Sequence, residues 1–371
     1  MKNNRILFLT LRVFSATGGI EKVCRIIGKL LFEMTFSGNK KFDIYSSHDS
    51  SVAAKENKYF PNEFYRGFEN RRLNFIWSSF RKGIKSDVVL LSHINLLPVG
   101  WLIKIFSPST RIILIAHGIE VWYLPLGLKK KMINACDKII CVSQFTKDKI
   151  TELKLAKEEK CIVINNCLDP YLPSINTSHK PKELREKYGF IETDKILFTL
   201  TRMEASERYK GYDRVMHAIA ELKKDIPEIK YVIGGSYETK EKDYIDALIK
   251  DLGITENVVM TGFIPDEKLS DYFLLADQYI MPSYNEGFGI VFIEAMYYNL
   301  PVTAGNKDGS VDALLNGKLG ILIDPMNILE IKNAIRRNFN NNEKINPDIN
   351  LLMSNFGYEH YKKRFESILI N

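Results

Sequence analysis

The stretch at residues 280–312 constrains the fold of this chain more strongly than any other. An apolar run at residues 278–281 ends in Pro282, a pattern that predicts a strand leaving its sheet. Gly287 and Gly289 follow shortly afterwards. Because glycine has no Cβ, these positions allow a tight bend and a close approach of the backbone to a ligand.

A helix is predicted from about Ile290, where apolar residues begin to recur at helical spacing. Glu286 then lies on a loop at the carboxyl end of a strand, and Glu294 faces out from the first turns of the helix. The start of such a helix offers free N–H groups and a positive dipole end, which suit a diphosphate. The two carboxylates can accept hydrogen bonds from sugar hydroxyls. The alternative is an ordinary strand–loop–helix unit with two solvated glutamates.

The first half of the chain predicts a doubly wound α/β domain. Residues 6–11 form the first predicted strand, Gly18 and Gly19 form a turn, and apolar residues at 23–31 form one face of a helix. The glycine pair is either a plain tight turn or a place where backbone N–H groups approach a phosphate.

Two predicted strands in succession deliver a histidine at their carboxyl ends. Residues 88–92 lead to His93, and residues 112–116 lead to His117. Ligands bind at this edge of open α/β sheets, so His117 is a candidate site residue. Further strands are predicted at residues 139–143 and 162–169.

A polar, proline-bearing segment at residues 173–182 predicts a linker to a second domain. The first strand of that domain, residues 196–201, ends at Arg202, and a somewhat long loop leads from there to Lys210 and Gly211. Arginine offers phosphate a planar fork and lysine a mobile point charge. Two such residues in a loop are otherwise ordinary surface charges.

The second domain shows the same strand and turn pattern further on. A predicted strand at residues 258–262 ends in Gly262 and Phe263, and the tail from Phe356 is predicted to be helical. Additional strands are predicted at residues 231–236 and 320–324.

Composition narrows the function classes. A chain of 371 residues suggests about two to three domains. The five cysteines include no Cys-x-x-Cys pair and fit no disulfide framework, so we expect buried thiols in a reducing cytoplasm. No residue cluster predicts a bound metal, and no apolar run approaches the length of a membrane span. The net charge of +7 suits an anionic partner, but no nucleic-acid-binding motif is present.

Residues 66–85 predict an amphipathic helix. Its apolar face is formed by Leu73, Ile76, Trp77, Phe80 and Ile84. Basic residues surround that face at positions Arg71, Arg72, Arg81, Lys82 and Lys85. Either the apolar face packs on the core and the charges are solvated, or the helix rests on anionic lipid.

The block Asn285-Glu286-Gly287-Phe288-Gly289, followed by Glu294, resembles the motif of the retaining GT-B glycosyltransferases of family 4, also called glycosyltransferase group 1. The resemblance covers nearly the whole chain. It implies an α/β fold of two Rossmann-like doubly wound domains facing each other across a cleft. The N-terminal, acceptor-binding domain would comprise residues 1–172 and a C-terminal helix at 356–371 that crosses back to it. The nucleotide-sugar-binding domain would comprise residues 183–355.

The resemblance also implies roles for individual residues. Glu286 contacts the donor sugar, and Glu294 holds the nucleotide ribose. Arg202 and Lys210 bind the diphosphate, and His117 lies near the donor β-phosphate and the acceptor. Glu286, His117, Arg202 and Lys210 are therefore the predicted catalytic residues. The predicted donor-binding set is completed by Gly18, Gly19, Gly262, Phe263, Gly287, Phe288 and Gly289.

The implied activity is transfer of a hexosyl-type unit from a UDP- or GDP-sugar, with retention at the anomeric carbon and without a metal or other cofactor. The expected acceptor is a glycan, lipid-linked, in the synthesis of capsule, O-antigen or exopolysaccharide at the inner face of the cytoplasmic membrane. Three alternatives stay open: a soluble enzyme acting on a small acceptor, an inactive sugar-nucleotide-binding protein, and a sugar-nucleotide epimerase of the same architecture.

Overall fold

The chain divides into two compact units. The N-terminal unit extends to Pro170 and takes in the chain again from Gly357, and the C-terminal unit comprises Tyr171–Phe356. Part of the predicted linker, residues 175–179, lies outside the described residues. The computed structural model describes residues 5–36, 40–55, 57–123, 127–174, 180–340 and 343–370.

Among the described residues, the N-terminal unit is built on a seven-stranded parallel sheet in the order β3-β2-β1-β4-β5-β6-β7. The chain winds outward from β1 in one direction and then from β4 in the other, so the strand order reverses between these two strands. The strands are β1 Arg5–Thr10, β2 Lys41–Ser46, β3 Tyr65–Gly67, β4 Val88–Leu91, β5 Arg111–Ala116, β6 Lys138–Cys141 and β7 Cys161–Val163. The helices between them are α1 Gly19–Phe36, α2 Arg72–Gly83, α3 Leu97–Phe106, α4 Ile119–Trp122, α5 Leu128–Asn134 and α6 Gln144–Glu152.

The described part of the C-terminal unit contains a six-stranded parallel sheet in the order β10-β9-β8-β11-β12-β13. Its order reverses between β8 and β11. The strands are β8 Lys195–Leu200, β9 Ile229–Gly234, β10 Val258–Gly262, β11 Gln278–Met281, β12 Val302–Gly305 and β13 Ile321–Ile323. The helices are α7 Lys182–Tyr188, α8 Tyr212–Leu222, α9 Thr239–Asp251, α10 Asp266–Leu275, α11 Ile290–Tyr297, α12 Ser310–Ala313, α13 Ile328–Phe339 and α14 Ile349–Phe356. A 3₁₀ helix at Ala205–Lys210 precedes α8.

Each sheet is the centre of a hydrophobic core. Every residue of β4 and of β11 is buried, as expected for parallel strands that are covered by helices on both faces. Helix α8 buries Val215, Ile219 and Leu222 completely, and each such side chain stabilises the fold by about 1.5–3 kcal/mol. All five cysteines are buried. The predicted α/β class with two doubly wound units is confirmed.

The last helix, α15 Tyr358–Ile370, packs on the N-terminal unit. Glu33 of α1 accepts hydrogen bonds from Tyr358 Oη at 2.8 Å and from Lys362 Nζ at 2.7 Å. Arg111 at the start of β5 donates to the carbonyl of Ile368 at 2.8 Å. These contacts confirm the prediction that the C-terminal helix returns to the N-terminal domain.

Helix α2 buries a different face from the predicted one. Phe80 packs partly against the core, but Leu73 is 83% exposed and Trp77 60% exposed. Phe75 takes the core position instead, where its ring meets that of Phe68 edge-on at 5.4 Å. The core-packed alternative is therefore wrong for the N-terminal half of the predicted face. None of the helices in the described ranges is both long enough and apolar enough to cross a membrane.

Candidate active site

The predicted strand–loop–helix unit is present in the C-terminal unit. Strand β11 ends at Met281, a loop spans residues 282–289, and helix α11 begins at Ile290. Gly289, directly before the helix, has a φ of 81°, a left-handed conformation that glycine adopts with little strain. The first N–H groups of α11 have no partner within the helix, so they are available to groups held at this loop.

Lys210 Nζ forms an ion pair with the carboxylate of Glu286. Lys210 ends the 3₁₀ helix after β8, and Glu286 lies on the loop after the neighbouring strand β11. The side chains are 15% and 17% exposed, so water screens the pair weakly. Burial lowers the pKa of Lys210, but the charge of Glu286 outweighs burial and the pKa is raised overall. Lys210 is therefore a cation at any working pH.

Further contacts hold the same two loops together. Tyr284 N–H donates to the carbonyl of Tyr209 at 3.2 Å. Arg214 Nη2 donates to the carbonyl of Pro282 at 3.1 Å. Gly211, with a φ of 84°, lies so close to the second loop that a Cβ there would be 2.6 Å from Pro282 O. A side chain at position 211 would force the loops apart.

Arg202 lies on the same loop as Lys210 and forms an ion pair with Glu207. The Arg202 side chain is 63% exposed, whereas that of Glu207 is only 12% exposed. Burial raises the pKa of Glu207, although the charges of Lys210 and Arg202 oppose the shift. The structure thus brings the two predicted phosphate-binding cations to one loop, where each of them forms an ion pair with a carboxylate.

Asp308 fixes the backbone of Glu286, a role that the sequence did not reveal. Its Oδ2 atom accepts hydrogen bonds from Glu286 N–H at 2.7 Å and from Ser283 Oγ at 2.8 Å, and its Oδ1 atom accepts from Ser310 N–H at 2.9 Å. Asp308 is 1% exposed, and burial raises its pKa to about 6 against the opposing effect of these hydrogen bonds. The position of Asp308 just after β12, the neighbour of β11 in the sheet, is the feature of the sequence that could have indicated this role.

The structure corrects the predicted orientation of Glu294. Its side chain does not face out, because the residue is only 2% exposed. Helix α11 is apolar on nearly all sides, as in a helix that is covered all round, so it has no solvent face for a glutamate. The ring of Phe288 is also buried, 1% exposed and edge-on to Phe356 at 5.5 Å. The Phe288 side chain therefore packs inside the unit and is not exposed to a ligand.

Gly262 and Phe263 lie apart from the Lys210–Glu286 pair. Gly262 ends β10, the edge strand of the sheet, which is separated from β8 by β9, and Phe263 follows it. Gly262 has a φ of 72°, and Phe263 is 56% exposed at the carboxyl edge. Phe263, a member of the predicted donor-binding set, thus offers an exposed aromatic ring at this edge of the sheet.

In the N-terminal unit, residues 11–18 form the loop between β1 and α1. Gly18 ends this loop, and Gly19 is the first residue of α1. A buried carboxylate anchors this loop: Asp49, 1% exposed, accepts hydrogen bonds from three successive backbone N–H groups at residues 13–15, over distances of 2.6–3.2 Å. Tyr65 Oη donates to the same carboxylate at 2.7 Å. Hydrogen bonds from the loop and from Tyr65 lower the pKa of Asp49 although burial opposes them. Asp49 was not among the predicted site residues.

His117 follows β5 as predicted. Its Nε2 atom lies 2.9 Å from the carbonyl of Ser92, and its backbone N–H donates to Glu120 at 2.6 Å. Because a carbonyl can only accept, Nε2 carries the proton, and Nδ1 is then the acceptor nitrogen of the neutral ring. Burial lowers the pKa of His117 to about 4, so the ring is neutral near pH 7. His93, at the end of the preceding strand, accepts from Asn95 N–H at 3.1 Å.

Two family models match the chain. The model for glycosyl transferases group 1 matches residues 181–349, in the C-terminal unit. The model for glycosyltransferase family 4 matches residues 18–171 and so covers most of the N-terminal unit. Between them they account for most of the sequence.

Individual relatives and solved structures agree with these models. The GDP-mannose-dependent alpha-(1-6)-phosphatidylinositol monomannoside mannosyltransferase of Mycolicibacterium smegmatis is 28% identical over 247 residues, which cover 61% of this chain. The chain spans about 60% of the length of that relative. HepE of Anabaena, solved with UDP and glucose, superposes with a TM-score of 0.80 at 20% identity over 98% of this chain and 99% of that one. The lipopolysaccharide outer core galactosyltransferase WaaB superposes with a TM-score of 0.71 at 17% identity over 99% of both chains.

The structural likeness confirms the predicted GT-B fold of two Rossmann-like domains. The family models extend that likeness to the sequence in both units. The chain therefore belongs to the family 4 glycosyltransferases, the glycosyl transferases group 1.

Proposed function

We propose that this chain transfers a hexosyl-type unit from a UDP- or GDP-sugar to a glycan acceptor, with retention at the anomeric carbon. The observation that carries the proposal is the Lys210–Glu286 ion pair at the carboxyl ends of β8 and β11. It sets a cation suited to a diphosphate beside a carboxylate suited to sugar hydroxyls. The relatives support a nucleotide-sugar donor, because one is named as GDP-mannose-dependent and another was solved with UDP.

In the proposed reaction, the bond between the anomeric carbon and the β-phosphate oxygen breaks, and the diphosphate leaves with the bonding electron pair. The acceptor oxygen bonds to the anomeric carbon and loses its proton. Lys210 and Arg202 stabilise the charge that develops on the diphosphate, assisted by the first N–H groups of α11. These cations supply what a metal ion supplies in other transferases, so we propose a metal-independent reaction.

We propose that Glu286 orients the sugar and does not act as a nucleophile. Its carboxylate is engaged by Lys210, and its backbone is held by Asp308. A carboxylate held in this way is suited to accepting hydrogen bonds from sugar hydroxyls. It would then contribute to catalysis by positioning the sugar. Retention then requires that the acceptor enters on the face from which the diphosphate leaves.

The remaining predicted residues keep narrower proposed roles. Glu294 holds the ribose hydroxyls, for which a buried carboxylate is a strong acceptor. Phe263 borders the base. His117, neutral and with Nδ1 available as an acceptor, is proposed to act toward the acceptor and the β-phosphate, and Gly18 and Gly19 to offer backbone N–H groups to phosphate.

We propose that the acceptor is lipid-linked and that the enzyme works at the inner face of the cytoplasmic membrane, in surface polysaccharide synthesis. Helices α2 and α3 expose a joint apolar patch, here called the α2–α3 patch, that includes Leu73, Trp77 and Phe106. Phe80 connects the two helices, because its ring meets that of Phe106 edge-on at 5.3 Å. Exposed aromatic and aliphatic side chains flanked by arginines suit an anionic lipid surface. The relatives include one that acts on a phosphatidylinositol mannoside and one that acts on lipopolysaccharide core.

The proposal is tested by a thermal-shift screen of UDP- and GDP-sugars, followed by turnover with lipid-diphosphate-linked and small soluble glycan acceptors. Each reaction is run in EDTA and again with Mn²⁺, and unchanged turnover is expected. A stabilising sugar nucleotide that is neither transferred nor hydrolysed would favour the inactive binding protein. Interconversion of the free sugar nucleotide without transfer would indicate the epimerase. Product with an inverted anomeric carbon would overturn the retaining assignment.

A further inference from the structure

The loop that carries Arg202 and Lys210 also carries a third cation, Arg208, which is held by a buried carboxylate. Arg208 Nε donates to Glu241 Oε1 at 2.7 Å, and Arg208 Nη2 donates to Glu241 Oε2 at 2.7 Å. Both arms of the guanidinium fork therefore meet both oxygens of one carboxylate. This bidentate arrangement is the strongest and the most directional that the two groups can form.

Glu241 is built to hold that position. It is 1% exposed and lies in the first turn of α9, where the helix dipole favours a negative charge. Tyr212 Oη donates to Glu241 Oε1 at 2.7 Å, and the Arg208 guanidinium stacks 3.7 Å from the centre of the Tyr244 ring. Burial would raise the pKa of Glu241, but hydrogen bonds from Arg208 and Tyr212 lower it below its ordinary value. The Arg208 side chain is 39% exposed, but the Glu241 carboxylate is buried, so loss of Arg208 would leave a buried negative charge without its main partner.

The loop is fixed a second time, at Met203. Met203 forms a parallel bridge with Tyr237, at the carboxyl end of β9. Met203 N–H donates to the carbonyl of Ser236 at 2.8 Å, and Glu238 N–H donates to the carbonyl of Met203 at 3.0 Å. Arg202 directly precedes the fixed point at Met203, and Lys210 lies two positions after the fixed point at Arg208. Both predicted phosphate ligands are therefore next to a fixed part of the loop.

We propose that Arg208 and Glu241 are positioning residues that set the loop geometry in which Arg202 and Lys210 meet the donor diphosphate. The inference rests on the proposed function, because it assumes that this loop binds a diphosphate. Arg208 does not itself act on phosphate in this assignment, since Glu241 engages both arms of its fork. The pair explains how a loop longer than a tight turn holds two cations in a fixed relation.

The test compares Arg208→Lys, which keeps the charge but loses the fork, with Glu241→Gln, which keeps the shape but loses the charge. Both are expected to lower kcat/KM by roughly ten- to a hundredfold, because a misplacement of about 1 Å in a catalytic group has effects of that size. The Kd of UDP or GDP, whichever binds the wild type, should rise in parallel. Arg336→Lys is the matched control: Arg336 forms an ion pair with Asp225 in the same unit and is 49% exposed, and it should match the wild type.

A double-mutant cycle separates positioning from a general loss of structure. If Arg208 acts through Lys210, the change Arg208→Lys should have much less effect in a Lys210→Ala background than in the wild type. If it serves stability alone, activity should fall by the same factor in both backgrounds. Thermal unfolding is followed for every variant. Should the Arg208 and Glu241 variants fail to fold, Tyr212→Phe removes a single hydrogen bond to Glu241 and is expected to give a smaller fall of the same kind.

The inference is overturned if folded Arg208→Lys and Glu241→Gln match the wild type, or if their effects multiply with that of Lys210→Ala. Failure of the proposed function looks different, because the wild type itself would then neither bind UDP or GDP nor transfer sugar. In that case both the function and this inference fall. If the wild type transfers sugar but the effects of the Arg208 and Lys210 changes are independent, only the inference about Arg208 and Glu241 fails.

Discussion

The Lys210 ammonium and the Glu286 carboxylate are each other's counter-charge across two neighbouring loops. Both side chains are largely buried, so removing either one leaves an opposite charge with poor solvation. In the proposed complex, the donor diphosphate would add further negative charge at the same cation. Lys210 must then serve the phosphate and Glu286 together, which links phosphate binding to the placement of the sugar.

We expect Lys210→Ala and Arg202→Ala to lower kcat by about 10²–10³, as the loss of one well-placed donor to a developing anion does elsewhere. Lys210→Ala should lower kcat more than Arg202→Ala, because it also leaves the largely buried Glu286 carboxylate without its counter-charge. Initial rates of transfer measure the effect. Lys332→Ala is the control, since Lys332 forms an ion pair with Glu221 elsewhere in the same unit. Near-normal turnover in both site variants would remove the diphosphate assignment.

Glu286→Gln and Glu294→Gln keep the shape of the side chain and remove its charge, and we expect the two variants to differ in their kinetics. Glu286 faces the reacting sugar in the proposal, so its loss should chiefly lower kcat. Glu294 is proposed to hold the ribose, whose contacts are similar in the ground state and the transition state, so its loss should chiefly raise the donor KM. Steady-state kinetics over a range of donor concentrations checks this, and the reverse pattern would mean that the two roles are exchanged.

Much of this arrangement could be predicted from local sequence. The features that could not be predicted depend on contacts between segments that are not adjacent in the chain. The β11 strand and its loop were predictable because a buried parallel strand is a continuous apolar run that ends in proline and glycine. Strand β2 and the edge strand β3 were not predicted: β2 alternates buried residues with exposed or half-exposed ones, and β3 has three residues. The inward orientation of Glu294 depends on what covers α11, including α14, which no local pattern reveals.

Asp308 and Glu241 show a second limit. Asp308 lies 22 residues from Glu286, and Glu241 lies 33 residues from Arg208. Each contact is made only after two consecutive strands pair in the sheet, β11 with β12 for Asp308 and β8 with β9 for Glu241. Single-residue patterns predict candidate ligand-binding groups, such as Arg202 and Lys210, but they do not predict the buried groups that hold these residues in place.

Asp308→Asn should alter how stability depends on pH. The folded-state pKa of Asp308 is raised to about 6, above the ordinary value of 3.8. Its carboxyl group therefore contributes stability that is fully present below about pH 4 and is lost as the pH rises through about 6. A raised pKa of about two units corresponds to roughly 3 kcal/mol at most.

The measurement is the difference in thermal midpoint between the wild type and Asp308→Asn from pH 4 to pH 8. The wild type should lose stability relative to the variant between pH 4 and about 6, and the difference should be constant above pH 7. The variant should also transfer sugar more slowly at pH 7, because an amide cannot accept from all the donors that meet the carboxylate. A difference in midpoint that does not change with pH would contradict the assignment.

Glu207→Gln should tighten nucleotide binding. Glu207 forms an ion pair with Arg202, so a donor phosphate must compete with its carboxylate. Because Arg202 is mostly exposed, the pair is worth up to about 1 kcal/mol, and the Kd of UDP or GDP should fall by about fivefold at most. Titration calorimetry measures the change, with Glu221→Gln as a control for loss of one negative charge. An unchanged or higher Kd would show that Glu207 does not compete with phosphate.

Binding to anionic membranes is the last expectation, and the structure sharpens which residues should carry it. Lys82 forms an ion pair with Asp43 at 2.6 Å, and Arg71 forms one with Glu69 at 3.0 Å, so both have a carboxylate partner within the protein. We therefore assign the docking charge to Arg72 and Arg81, beside the exposed Leu73 and Trp77.

The wild type should sediment with vesicles that contain anionic lipid and should be released by high salt, because each basic residue near such a surface contributes about 1 kcal/mol and salt screens that attraction. Changing Leu73 and Trp77 to Ser should abolish sedimentation, while Arg72→Ser with Arg81→Ser should weaken it. None of these changes should alter turnover with a soluble acceptor. Leu329→Ser, at a 56% exposed leucine in the other unit, is the matched control and should sediment like the wild type. If the wild type stays in the supernatant with anionic vesicles at low salt, the α2–α3 patch does not bind membranes, whereas sugar transfer to a soluble acceptor would still support the proposed reaction.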